Sequence, residues 1–298
     1  MAKKHRFKEE KFRVEPNEKL NLAKRSTRAG KELEDKVHAA ETLASDVTAL
    51  KEAQQVLYAS GTHSLLLIFQ GMDAAGKDGT IKHVMGGINP QGCRVYSFKA
   101  PNDTEIQHHF LWRPMPCLPE RGMISIFNRS YYEEVLVVRV HPEFLVPQRL
   151  PNLNSLKPKS LSKLWKQRFD EINSFEHSLA NNGTIVLKFY LHVSRDEQKE
   201  RFLERLTNRE KHWKFNARDL TERALWPQYK KAFEEALSAT STEWAPWYVI
   251  PADNKWYTRA AIADIIAAKL EKLKLKYPEV PEDERSKFDD LAHRLASE

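Results

Sequence analysis

Cysteine is scarce in this 298-residue chain: only Cys93 and Cys117 occur, with no Cys-x-x-Cys pair. That leaves no basis for a disulfide framework or a thiolate zinc site, and it suits a reducing compartment. Long apolar runs are also missing. The longest, such as Leu65–Phe69 and Val135–Val138, fall far short of the ~20 residues that a membrane-spanning helix needs. The N-terminus is charged but lacks the apolar stretch of a secretory signal. No repeat or low-complexity tract is visible, and His63, His83, His108, His109 and His141 show no metal-ligand spacing. These absences predict a soluble, cytoplasmic protein without a membrane partner.

What is present is a 41% hydrophobic chain, ample for a packed core, with a formal charge of +7 and a pI near 9.2. The excess is uneven, because residues 1–30 hold ten Lys/Arg against four Asp/Glu. Such a segment reads as a solvated, mobile tail, or alternatively as an arm that helps hold a polyanion. Residues 31–60 show a helical period in Leu33, Val37, Ala40, Leu43, Val47 and Leu50, with Gly61 as the stop. Short apolar runs then alternate with amphipathic segments. Strands are predicted at Ser64–Gln70, Arg94–Lys99, Met123–Asn128, Thr184–Val193 and Trp247–Pro251. Helices are predicted at Gly76–Met85, Asp103–Trp112, Leu161–Ala180, Arg195–Thr207, Leu220–Leu237 and Trp256–Lys276. This alternation predicts a single α/β domain over 31–298: a parallel sheet flanked by helices in three layers, with a helical N-terminal extension. Strands such as Leu65–Phe69 and Ile185–Leu187 are apolar runs, as burial on both faces requires.

The richest stretch is Gly71-Met72-Asp73-Ala74-Ala75-Gly76-Lys77-Asp78-Gly79-Thr80, which follows a strand and opens a helix. In that context glycines let backbone amides converge on phosphate oxygens, and the helix N-terminus adds unpaired donors. Lys77 would reach a transferred phosphate as a point charge. The loop departs from the usual pattern in two ways. Asp78 stands where a Ser or Thr normally meets the metal, and Asp73 places a second carboxylate inside the loop. Bare carboxylates beside phosphates repel them, so Mg²⁺ (with Mn²⁺ as an alternative) is implied as the bridging ion, with Asp73 and Asp78 as its ligands. Asp78 can also be read as an ordinary first-turn helix acid. Thr80 offers a hydroxyl, two positions late.

Two further regions carry charge suited to anions. Met123–Asn128 ends in Asn128-Arg129-Ser130-Tyr131-Tyr132-Glu133-Glu134, and catalytic groups of open α/β sheets gather beyond strand carboxyl ends. Asn128 can ligate without charge and Arg129 can contact an anion. Glu133 and Glu134 can equally be first-turn helix residues. Arg201, Arg205 and Arg209 fall at i, i+4 and i+8, followed by Lys211, Lys214 and Arg218, with Glu197, Glu200 and Glu204 interleaved. This is either a salt-bridged exposed helix or a lid, at about residues 195–225, that brings arginines to a phosphoryl group. The aromatics around Trp244, Trp247 and Trp256 read as core.

Together, GMDAAGKDGTIKHV, INPQGCRVYSFKAP, FNRSYYEEVLVVRVHP, KERFLERL, KHWKF and STEWAPWYVIPADNKWY resemble the polyphosphate kinase 2 family, over residues 30–275. The resemblance implies a thymidylate-kinase-like P-loop fold, homotetramers built from dimers, and Mg²⁺-dependent transfer between inorganic polyphosphate and nucleotides. It implies that Asp73, Lys77 and Asp78 hold phosphate and metal. It further implies that Arg129, Arg201, Arg205, Lys211 and Lys214 line the polyphosphate path or touch the transferred group. Diphosphate-only members typically carry Asp at the Asn128 position and Asn at the Glu133 position. This chain departs from that and resembles the class accepting both AMP and ADP. Adenine is the expected base, with guanine open. An ATP-dependent nucleoside or nucleotide kinase is the first alternative. A nucleic-acid-binding P-loop protein is the second, although no aromatic-interleaved basic surface supports it.

Overall fold

A computed structural model describes residues 5–33, 35–151, 153 and 155–298. Its centre is a five-stranded, all-parallel sheet in the order β2-β3-β1-β4-β5. The strands are β1 (Ser64–Gln70), β2 (Cys93–Ser97), β3 (Ile124–Asn128), β4 (Thr184–His192) and β5 (Trp247–Pro251). β1 lies in the middle, with Leu65 opposite Ile124 on β3 and Ile185 on β4. All seven of its residues are buried, which is why it reads as an unbroken apolar run. β2 is an edge, and there Arg94 and Val95 are exposed.

The helices, in chain order, are α1 (Lys36–Ser60), α2 (Lys77–Val84), α3 (Asp103–Ile106), α4 (Val137–Val140), α5 (Pro158–Asn181), α6 (Arg195–Thr207), α7 (Arg218–Ala224), α8 (Trp226–Thr240), α9 (Lys255–Lys272), α10 (Glu282–Arg285) and α11 (Phe288–Ala296). α9 packs on α1 and α2, while α5 packs on β4 and α8. α1 starts on Asp35, whose carboxylate accepts from the amides of Val37 and His38, and ends at Gly61 in the left-handed conformation. No helix among the described residues is long and apolar enough to cross a membrane.

Three expectations need correction. Residues 1–4 lie outside the described residues, but the rest of the supposed mobile tail is packed. Phe12, Val14 and Leu22 are each at most 2% exposed. Val14 N donates to Trp247 O (2.9 Å) and Val249 N donates to Phe12 O (2.8 Å). The segment therefore covers the free edge of β5, which would otherwise present unpaired amides; its apolar residues outweigh its charge count. The helix expected over Asp103–Trp112 is one turn, Asp103–Ile106, closed at its start by a capping box between Asn102 and Glu105. The helix expected over Leu220–Leu237 is two, broken at Leu225, where Pro227 in the first turn of α8 lacks an amide donor.

One buried polar network fixes the chain beyond β3. Glu176 on α5 and Lys188 on β4 are fully buried and paired. Tyr131 Oη and Tyr132 Oη both donate to Glu176 Oε1 (2.7 and 2.8 Å), and Lys188 Nζ donates to Thr240 O (2.7 Å). A buried charge pair needs such satisfaction to be tolerated. Here it also sets the turn that presents Arg129 and Glu133.

Candidate active site

The phosphate loop runs from the end of β1 into α2. Gly76 sits at φ 103° and caps α2 without a side-chain partner. The first-turn amides thus remain directed at the loop's mouth. A Cβ on Gly71 would lie 3.0 Å from the Leu191 carbonyl oxygen, so the loop's seat against β4 requires glycine there. Lys77 is half-buried and folds inward, its Nζ donating to Gly71 O (2.8 Å). Burial of the ammonium pulls its pKa down to about 8, with the nearby Arg129 guanidinium adding to the effect and Asp73, Glu133 and Asp78 opposing it.

β3 delivers the second group of residues. Asn128 Nδ2 donates to Asp78 Oδ1 (2.6 Å). Arg129 adopts φ 64°, uncommon for a non-glycine residue, and its amide donates to Phe69 O (3.1 Å). Its Nη2 donates to Asp73 Oδ1 (3.2 Å), and its Nη1 lies 3.7 Å from Glu133 Oε2. Glu133 therefore faces the loop. Glu134 faces away: it is buried, accepts from Gln148 and lies 3.5 Å from Arg168.

The basic stripe divides. Arg201 is only 5% exposed, and all five of its N–H donors have acceptors. Nη1 donates to Ala74 O (2.9 Å) and Ala75 O (2.8 Å), Nη2 to Ala252 O (2.5 Å) and Asp253 O (3.2 Å), and Nε to Glu197 Oε1 (2.8 Å). The expected lid arginine is thus a clamp that ties the phosphate loop to the β5–α9 turn. Gln198 adds a second tie, donating from Nε2 to Asp73 O (2.8 Å). Arg205 lies farther out, 3.3 Å from Asp219 Oδ2. Lys211 pairs with Glu204, and Lys214 lies over the Trp213 ring. Arg209 does not share their face, because α6 ends at Thr207 and Asn208 starts a new turn. Neither it nor Thr80, which is 4% exposed and packed inward, lines either of the two cavities at the loop. The salt-bridged reading of the stripe therefore holds for Glu197–Arg201 and Glu204–Lys211.

Two cavities meet at the loop. One, of about 510 Å³, is lined by Gly76, Lys77, Asp78, Gly79, Asn128, Arg205, Lys211 and Lys214. Lys99 and Lys255 also line it, and sequence reasoning passed over both. Each follows closely on the end of a strand, β2 or β5, and the rule that sites form there would have found them. The second, of about 460 Å³, is more apolar: Leu136, Val137, Phe144, Trp226, Tyr229 and Phe233 line it with Arg218 and Arg223. Asp73, Ala100, Arg129 and Asp219 belong to both. Burial, with Asp73 nearby, pushes the Asp219 carboxyl up. The donor set at Asp78 and Asn128 consists of adjacent oxygen-bearing side chains. Among the described residues, the only three such ligand atoms from acidic, His or Cys side chains within 4.8 Å of one another are those of His5, Asp46 and Asp264, outside both cavities. Asp73 and Asp78 are the loop carboxylates that would hold an ion such as Mg²⁺, which takes one or two carboxylates and fills its shell with water and phosphate; in the structure Asp73 Oδ1 accepts from Arg129 and Asp78 Oδ1 from Asn128.

A strand, a glycine-bearing loop with an inward lysine and a helix, at the centre of a five-stranded parallel sheet, define a P-loop kinase fold. Residues 32–278 match the family Polyphosphate kinase 2 (PPK2), and the chain belongs to that family. It is 48% identical over 290 residues to an ADP-polyphosphate phosphotransferase of Rhodopseudomonas palustris, covering 97% of this chain and 99% of that one. It is 44% identical over 270 residues to an AMP/ADP-polyphosphate phosphotransferase of Meiothermus ruber, covering 90% and 95%. The crystal structure of Polyphosphate Kinase 2 from Arthrobacter aurescens TC1 superposes with a TM-score of 0.80 at 38% identity, covering 90% of this chain and 92% of that one.

Proposed function

We propose that this chain transfers a phosphoryl group from inorganic polyphosphate to AMP or ADP. The observation that carries the reading is the pair of cavities meeting at Asp73 and Arg129. One is walled by Lys77, Lys99, Arg205, Lys211, Lys214 and Lys255, which suits a polyanion; the other joins an apolar wall to Arg218 and Arg223, which suits a nucleotide. The names of the Rhodopseudomonas palustris and Meiothermus ruber relatives support both substrates.

In this mechanism the end of the polyphosphate chain lies against the loop amides and Lys77. An oxygen of the nucleotide's terminal phosphate attacks the end phosphorus, and the bond to the next phosphate breaks. The chain leaves one unit shorter as an oxyanion, so no acid need protonate it. Arg129 stands at the junction, where charge spreads over the transferring group. Asp73 holds the Arg129 fork in place, and Arg201 and Gln198 hold the loop carbonyls. Asp78 and Asn128, with Asp73, would hold Mg²⁺ or Mn²⁺, which neutralises phosphate charge when bound. The proposal includes a cytoplasmic homo-oligomer, tetrameric by family resemblance, with adenine as base and guanine open.

The test is a matrix of AMP, ADP, GMP and GDP with polyphosphate or ATP as sole donor, run on the wild type and on Lys77→Ala. Transfer from polyphosphate to an adenine nucleotide, lost in the variant while circular dichroism stays native, is the expected result. Turnover with ATP alone, or unaltered turnover in Lys77→Ala, would overturn it.

A further inference from the structure

Residues 276–298 are exposed throughout, yet they include a helix with a clear apolar face. On α11, Phe288, Leu291 and Leu295 recur at i, i+3 and i+7 and are 50%, 46% and 69% exposed. A nine-residue helix alone in water is marginal, so this one needs a surface to lie on. The segment is also acidic in a basic protein: residues 279–298 carry seven carboxylates against three Lys/Arg.

A groove of about 610 Å³ between α4, α5 and α8 has the complementary character. Val140, Leu161, Trp165 and Phe169 form an apolar floor, and the exposed Lys166 and Lys231 stand on its rim. Arg139 there pairs with Glu235 and lies over the edge of the floor, 5.9 and 5.8 Å from the Trp165 and Phe169 ring centroids, and Lys231, 77% exposed, lies 4.0 Å from the same carboxylate. A second groove, between α1 and α9, fits less well, because its rim carries Glu52 and Glu271 beside Lys274. α9, which leads into the tail, packs on α1 and α2, whereas the groove is built from α5 and α8. A tail reaching its own groove would have to cross from one helix layer to the other.

We infer that α11 of one copy seats in the α4–α5–α8 groove of a second copy, with Phe288, Leu291 and Leu295 on the floor and Asp289 and Asp290 toward the lysines. Two reciprocal contacts would close the pair about a twofold axis. The inference rests on the groove and the helix and stands independently of the catalytic reading.

Sedimentation velocity on the full chain tests it, with Leu291→Asp/Leu295→Asp and, separately, Lys166→Glu/Lys231→Glu. All four side chains are exposed, so the fold should survive. Loss of two apolar anchors should weaken self-association roughly 100-fold or more, shifting the population to smaller species. A copy carrying Ser162→Cys, mixed with a copy carrying Leu291→Cys, should form a two-chain disulfide that neither forms alone. Unchanged sedimentation in both double variants would overturn the inference. So would a disulfide that forms only within one chain carrying both cysteines, because the tail would then lie on its own groove.

Discussion

Replacing Arg201 separates two roles that sequence spacing leaves entangled. A lid arginine that grips the transferring phosphoryl group and an arginine that holds the phosphate loop are both essential, but they fail differently. In the structure the guanidinium is buried, and its five donors meet four backbone carbonyls and Glu197. Arg201→Ala removes every one of these bonds and leaves a cavity between α6, the loop and the β5–α9 turn. Breaking a buried charged contact of this kind costs about 3–5 kcal/mol, and water entering from the adjacent cavity keeps the figure toward the lower end. At about 2 °C per kcal/mol for a large domain, the melting temperature should fall by roughly 6–10 °C. A loop displaced by even ~1 Å loses about 100-fold in rate. Arg201→Lys should recover little, because one ammonium has three donors and cannot span the four carbonyls.

The assay pairs thermal unfolding by circular dichroism with initial rates at varied polyphosphate. A clamp predicts a large fall in melting temperature together with a moderate fall in kcat/KM. An arginine donating to the phosphoryl group predicts the reverse: an unchanged melting temperature and a loss of 10³-fold or more, the scale associated with arginine fingers. That second outcome would refute the assignment of Arg201 as a positioning residue.

Other consequences follow from the same geometry. With the folded pKa of Lys77 near 8, below the ordinary lysine value, the unfolded chain binds the extra proton between about pH 8 and pH 10.4, so this residue's contribution to stability rises with pH across that window. The anion, by contrast, needs the charged form, so kcat/KM for polyphosphate should decline above pH 8 and the kcat limb should move upward at saturation; a flat profile to pH 9.5 would contradict this. Asn128→Asp places a second carboxylate where Asn128 now donates to Asp78 at 2.6 Å. Half-maximal Mg²⁺ should fall while the EDTA-treated protein melts earlier, by titration and calorimetry. Raising salt from 50 to 300 mM should increase the KM for polyphosphate more than that for the nucleotide, since the first cavity carries the lysines. Phe12→Ala empties a site that is 2% exposed at the β5 edge and should destabilise the fold by about 3–5 kcal/mol, read by denaturant unfolding.

Local chemistry explains what the sequence made legible. The core strands are buried on both faces and read as apolar runs, and the loop reads because glycines, a lysine and a following helix have fixed spacing. One helix end set by proline was legible in principle: Pro227 stands in the chain, but helical periodicity was read across it. The N-terminal segment was misjudged for a different reason. Net charge over thirty residues hides Phe7, Phe12, Val14, Leu20 and Leu22, which are spaced irregularly because the segment runs from α9 past the β5 edge to α8 instead of forming one helix of its own. Arg201 shows the hardest case. Periodicity places it beside Arg205 on one face of α6, and nothing in that spacing says which of the two is buried. The answer comes from Ala74, Ala75, Ala252 and Asp253, whose carbonyls converge on it from distant parts of the chain. Backbone acceptors leave no trace in residue identity, so a side chain that serves them looks in sequence like one that serves a ligand. Gln198 and Arg201 are stapled to the loop, so any closure of the expected lid over a substrate would have to bend beyond them, between Arg205 and Arg218.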